Sequence, residues 1–357
     1  MTTRCTQNKS LDGNNMKNIK RYVSIMAALC CLAGFGSAVL AQEGDPIVEV
    51  LESGIPHDKL FALDMKGSRG LAVGSFGLMR ETEDGGETWT TADPLTTKAL
   101  LGVTAAGDTQ IVVGQQGTIF RRVEGADWKQ VEAGLTQRIM DVGLNDSGLG
   151  YIVGEFGFMA KSEDAGLTWT MVTKDWESVN EEGYEPHLYS AVVKDDGTIF
   201  VAGEFGLIMM STDRGRSFKQ VHGGDQGVFD LHFANDGDGT SSGYAVGQEG
   251  LVLKTIDGGA TWSSVAVDTS SNLLGVWSGN GEVVVTAIRD LLRSRDDGKS
   301  FASFSADSQI GRTWYQGVAA GVSETATESA EGRKSLIREQ QVFIAVSYTH
   351  LRAHETR

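Results

Sequence analysis

Tyr151–Trp169 reads YIVGEFGFMAKSEDAGLTW. Leu71–Trp89 (LAVGSFGLMRETEDGGETW) and Tyr244–Trp262 (YAVGQEGLVLKTIDGGATW) repeat it with the same internal spacing, and Phe200–Phe218 (FVAGEFGLIMMSTDRGRSF) ends in Phe instead of Trp. Two further copies are degenerate. Ile111–Trp128 lacks the Asp turn, and Val283–Phe301 carries Thr286 and Arg289 in place of two glycines. The anchors Gly74, Gly114, Gly154, Gly203, Gly247 and Thr286 lie 39 to 49 residues apart, the period of a four-stranded propeller blade.

Each copy reads as two strands, the first ending at the first glycine and the second leading into D-x-G-x-T/S-W/F. The D-x-G step is turn chemistry, with Asp accepting backbone N–H bonds and Gly supplying positive φ. A short apolar run precedes each copy, at 60–65, 100–105, 139–144, 188–193, 228–233, 273–278 and 314–319. Seven such runs predict an all-β, seven-bladed propeller of four-stranded antiparallel blades. Ile47–Gly54 matches the outermost strand of other blades, so it is expected to latch the last blade and leave no open edge. An open β-solenoid needs no latch.

The rest of the chain fits this reading. It has 357 residues, 31 Lys plus Arg against 47 Asp plus Glu, and 46 Gly. The net charge of −16 argues against nucleic acid, which needs a basic face. Lys17–Arg21 is basic, 23–40 is apolar, and Ala41 precedes a polar start, the plan of a secretory signal peptide. Residues 1–41 therefore read as an over-extended start plus signal, 42–346 as one propeller with an incomplete last blade, and 347–357 as a non-native tail resembling translated adapter. Cys5, Cys30 and Cys31 all fall in the leader, so the mature chain has no disulfide, thiolate site or Cys nucleophile. Its expected location is periplasmic or extracytoplasmic. Glu324–Gln340 reads as a solvated loop.

The S/T-x-D-x-G-x-T/S-W/F copies at Asp84, Asp164, Asp213, Asp257 and Asp296 resemble the Asp-box, or bacterial neuraminidase repeat. Coupled to V-G-x-x-G upstream, they resemble the photosystem II stability/assembly factor family over Ile47–Val346. That resemblance implies a non-enzymatic, chaperone-like, exported propeller that binds an integral membrane protein or its extracytoplasmic segment. It carries a reaction-centre partner over only for a photosynthetic host. The chain is expected to be monomeric.

The Asp-box residues Asp84, Trp89, Asp164, Trp169, Asp213, Phe218, Asp257, Trp262, Asp296 and Phe301 read as structural, since a catalytic acid is normally unique in a chain. A sialidase needs an arginine triad and an arginine before its N-terminal Ile-Pro; Gly54 stands there instead. Arg138, Arg289 and Arg312 share one propeller face and are candidates for anion or partner binding. That face also carries the turns between second and third strands, read as Ser75-Phe76, Glu155-Phe156, Glu204-Phe205 and Gln248-Glu249. Two readings stand for Phe76, Phe156 and Phe205. They fold over neighbouring blades, or with Glu155, Glu204 and Glu249 they form an aromatic and acidic ring that grips a partner. The loop 174–186, with Trp176 and Tyr184, reads as a flap or a solvated loop. The alternative function is a carbohydrate-active propeller, glycosidase or lectin, whose acids would be Glu155, Glu204 and Glu249. No cofactor fingerprint is present, and the calcium-like run Asn235–Gly239 lacks the acid at position twelve.

Overall fold

The computed structural model describes residues 59–346 apart from 178, 180–182, 235–241, 307–309 and 329–333. Gly150–Gly154 is buried at every position. A strand apolar on both faces must be covered on both, and here the neighbouring blades do so. Tyr151 and Val153 of the third blade pack with Leu188, Ile199 and Val201 of the fourth. Ile152 and Ala160 face Ile111 and Val113 of the second. The core is thus a series of apolar layers between sheets, without one central nucleus.

Six four-stranded antiparallel sheets follow one another in chain order. Their innermost strands are Leu60–Lys66, Leu100–Ala106, Ile139–Leu144, Leu188–Val193, Val228–Phe233 and Leu273–Gly279. A two-stranded sheet, Tyr315–Glu328 with Lys334–Val346, comes last. Its first strand packs against the inner strands of the first and sixth blades, and the Val322 N–H donates to Gly67 O at 2.9 Å. Among the described residues there are thus six four-stranded blades and a two-stranded sheet where seven four-stranded blades were expected. The latch Ile47–Gly54, the leader 1–41, the tail 347–357 and the run Asn235–Gly239 lie outside the described residues. Glu324–Gln340 was expected as a loop and instead supplies both arms of a hairpin. The register sets Glu324 opposite Arg338 and Glu328 opposite Lys334.

The Asp-box turns have one geometry. In the third blade the Ser162 hydroxyl donates to Asp164 Oδ1 at 2.8 Å and accepts the Gly166 N–H at 2.8 Å. Asp164 also accepts the Thr168 N–H and hydroxyl at 2.9 and 2.6 Å. The same set recurs at Asp84, Asp213, Asp257 and Asp296. The closing aromatic packs on the preceding blade: Trp169 on the second-blade layer, Phe218 against Tyr151 at 5.5 Å, Trp262 in the layer of Phe200, where it also meets Phe233 of its own blade, and Phe301 in the Tyr244 layer. The Trp89 indole N–H donates to Gly86 O at 3.0 Å.

Candidate interaction surface

The second and third strands of each blade are joined by tight turns. The turns are centred one residue later than the sequence suggested. Leu78 N–H donates to Ser75 O at 2.9 Å, and Phe158 N–H to Glu155 O at 3.1 Å. The central pairs are therefore Phe76-Gly77 and Phe156-Gly157, with φ of 53° and 73°, and 51° and 65°. Positive φ at both centres defines a type I′ turn, whose first position favours Asn, Asp or Gly. Here that position holds Phe76, Gln116, Phe156, Phe205 and Glu249, at φ between 51° and 60°. In the sixth blade Ile288-Arg289 turns between Ala287 and Asp290, with Arg289 at φ 61°.

The residue just ahead of each turn has a different task. Ser75, Gln115, Glu155, Glu204 and Gln248 reach back to the N–H of the residue that precedes their own inner strand. Arg138 N–H donates to Glu155 Oε1 at 2.9 Å, His187 N–H to Glu204 Oε2 at 2.8 Å, and Gly227 N–H to Gln248 Oε1 at 2.7 Å. Ala99 and Lys59 do the same to Gln115 and Ser75, both at 3.2 Å. The glycine before each brace allows this approach: a Cβ on Gly154 would stand 2.1 Å from Arg138 O.

Glu155 and Glu204 are therefore intrablade braces, a role that the sequence reading did not assign to them. Gln already does this work in the second and fifth blades. Glu155→Gln is expected to melt within about 1 °C of the parent, and Glu155→Ala to lose roughly 1 kcal/mol by orphaning the Arg138 N–H. Thermal melts of both variants check this; a large loss in Glu155→Gln would mean the charge itself is needed.

The phenylalanines remain largely exposed, although Phe156 leans on His187 at the head of the fourth blade. Phe76, Phe156 and Phe205 are 72%, 64% and 50% exposed. Phe156 lies against the His187 ring at 4.8 Å, and its N–H donates to His187 Nδ1 at 3.1 Å. Phe205 stacks with exposed Tyr184 at 6.4 Å and 26°. Trp176, read as part of a flap, is buried in the layer between blades three and four, its indole against Gly157. Glu249, Arg138, Arg289 and Arg312 are exposed. The Arg289 N–H donates to Thr313 O at 2.9 Å, so Arg289 and Arg312 stand in adjacent connections. Arg138 stands ahead of the third blade.

Three acids in the inner strands form a second feature, one that the sequence reading missed. Asp64, Asp141 and Asp230 each bridge to the inner strand of the next blade. They accept the Ala105, Ala191 and Val276 N–H groups at 2.6, 2.9 and 2.9 Å. They keep some accessible surface because inner strands line the central channel, yet protein surrounds them. Burial pushes Asp141 up to about 7, opposed by the Ala191 N–H and reinforced by the charges of Asp230 and Asp64. Burial likewise pushes Asp64 and Asp230 up to about 6. The signal was present in the sequence, a lone acid inside apolar runs such as IMDVGL and VFDLHF. Among the described residues no group of His, Cys, Asp and Glu is arranged to hold a metal ion.

Residues 120–226, from the third strand of blade two to the end of blade four, match the family model of the photosynthesis system II assembly factor YCF48. The chain is a propeller similar to that family. The matched stretch contains Glu155, Phe156, Glu204 and Phe205. A solved YCF48 bound to a D1 peptide superposes with a TM-score of 0.57 at 14% identity, covering 83% of this chain and 95% of that one. YCF48 from Cyanidioschyzon merolae gives 0.57 at 16%, covering 83% and 97%. The extracellular domain of a B. thetaiotaomicron protein described as a one component system gives 0.57 at 10%, covering 82% of this chain and 39% of that one. At these identities the likeness is one of fold. No curated protein sequence matches.

Proposed function

We propose that this chain is an exported, non-enzymatic, YCF48-like assembly factor that holds an extracytoplasmic segment of an integral membrane protein on the face carrying the type I′ turns. The carrying observation is three exposed phenylalanines in left-handed backbone at a position that favours Asn or Gly. A conformation that folding alone disfavours, bearing an apolar side chain in water, is expected where a partner needs it. The family match over 120–226 and the peptide held by the YCF48 neighbour support the same reading. Export is supported by the basic-then-apolar leader, and a seven-bladed ring latched by Ile47–Gly54 by the seventh inner strand. The braced state of Glu155 and Glu204 speaks against the glycosidase alternative.

The test is affinity capture from solubilised host membranes, beside a Phe156→Ala/Phe205→Ala variant. One integral membrane protein retained by the parent and lost by the variant is the expected result. Equal retention by both overturns the role of this face.

A further inference from the structure

Beside Phe205 the fourth blade holds a cavity of about 350 Å3. Val179, Pro186, Phe205 and Leu207 form its apolar wall, and Gln220 and Gly223 line it on the side of the outer strand. That strand, Lys219–His222, has four residues where the outer strands of the other four-stranded blades have two. The turn at its head is fixed: Gly224 N–H donates to Phe205 O at 2.9 Å, and His222 Nδ1 lies 2.7 Å from Gly206 O. The outer-strand side of the cavity is therefore held by these two contacts. Its polar wall is Glu204, Gln220 and the exposed Gly223; Glu204 holds the His187 N–H, and no hydrogen bond engages the Gln220 side-chain amide or the Gly223 N–H among the described residues. Asp175, Glu177 and Glu185 of the bordering loop are exposed, and exposed Asp225 follows Gly224.

The geometry points to a docking site for an extended basic peptide segment, one large apolar side chain entering the cavity and flanking Lys or Arg meeting the acidic border. This rests on the reading that the turn face holds a protein segment, and it names the chemistry of that segment. An apolar cavity takes the apolar side chain. A vacant peptide N–H and amide at the end of an outer strand take backbone hydrogen bonds, as in strand addition. The like-charged border repels acidic segments and favours basic ones. The stacked Tyr184 and Phe205 rings beside the opening suit the aliphatic stem and cation of an Arg.

The test uses the full chain and fluorescence polarisation with three labelled peptides, GKRLRKG, GKRSRKG and GEELEEG. The first is expected to bind at least tenfold tighter than the other two, and the gap between the first and third to shrink at high salt. Gly224→Leu, whose Cβ would meet only the His222 ring at ordinary contact distance, is expected to lose this binding without a change in melting temperature. Equal binding of the first two peptides, or binding unchanged in Gly224→Leu, overturns the proposal. Self-association of the chain that Gly224→Leu abolishes would assign the cavity to a second copy and overturn it as well. Membrane-protein capture that survives in Gly224→Leu but fails in Phe156→Ala/Phe205→Ala would leave the turn-face reading intact while the cavity proposal fails, so the two failures are distinguishable.

Discussion

Asp141→Asn is expected to raise the melting temperature at pH 8 by about 3 °C, and the gain to shrink steadily to nothing near pH 4. Asp141 is pushed up to about 7 in the fold, against an ordinary aspartate near 4 in the unfolded chain. Between these values the folded state holds a proton that the unfolded state has lost. This contribution is therefore complete below about pH 4 and disappears as pH rises through 7. Three pH units correspond to about 4 kcal/mol as an upper limit. Water in the channel screens part of this, leaving roughly 2 kcal/mol, or about 3 °C for a domain of this size. Asn keeps the shape and an oxygen for the Ala191 N–H while removing the buried charge. The Asp-box acids act in the opposite direction. The Thr261 hydroxyl and N–H and the Thr255 hydroxyl hold Asp257 down at about 2, and Asp296 is held similarly by Ser300 and Ser294. Their stabilisation is present above about pH 4 and lost as pH falls through 2. Together the two groups place the optimum near pH 4. Melts of parent and Asp141→Asn from pH 3 to 9 check this. A lower melting temperature for Asp141→Asn at pH 8 would mean that the charged bond to Ala191 outweighs the cost of burial.

The repeat and its blades were legible because both rest on short-range chemistry. A β-branched run, a glycine that admits a carbonyl, and an Asp that gathers its own turn's donors each act within some twenty residues. The braces were missed for a related reason. Glu155 looks like a surface acid until its turn is known to close on the Phe158 N–H, which moves the exposed position to Phe156 and points Glu155 back at Arg138. The central acids were missed because their partners lie 41 to 50 residues away in the next blade; in the strand itself Asp141 is only a charge interrupting an apolar run. The hairpin 315–328/334–346 was lost to composition, since a run rich in Glu, Ala and Arg suggests a solvated loop, while its strand partners lie across the turn and not in the run itself.

Replacing Phe76, Phe156 and Phe205 together by Asn is expected to abolish partner capture while leaving the fold as stable as the parent or more so. A residue with a Cβ in left-handed backbone costs about 1–2 kcal/mol, a penalty that Asn largely escapes through local hydrogen bonding. Phe76, 72% exposed, has little burial to lose, and its replacement alone should gain up to about 1 kcal/mol. Phe156 and Phe205 give up their contacts with His187 and Tyr184, worth roughly 0.5–1 kcal/mol each, which offsets the relief of strain there. Binding should move the other way. An aromatic anchor at the centre of an interface contributes about 2 kcal/mol or more, a factor of about 30 per ring, so losing two engaged rings takes affinity down by more than a hundredfold. Most substitutions that weaken binding through misfolding also lower the melting temperature, and this one separates the two. Capture lost with the melting temperature maintained identifies the rings as the gripping surface. Capture maintained with the melting temperature lowered by several degrees assigns them instead to the fold, and the exposed left-handed turns would then need a structural explanation that burial and ring contacts do not supply.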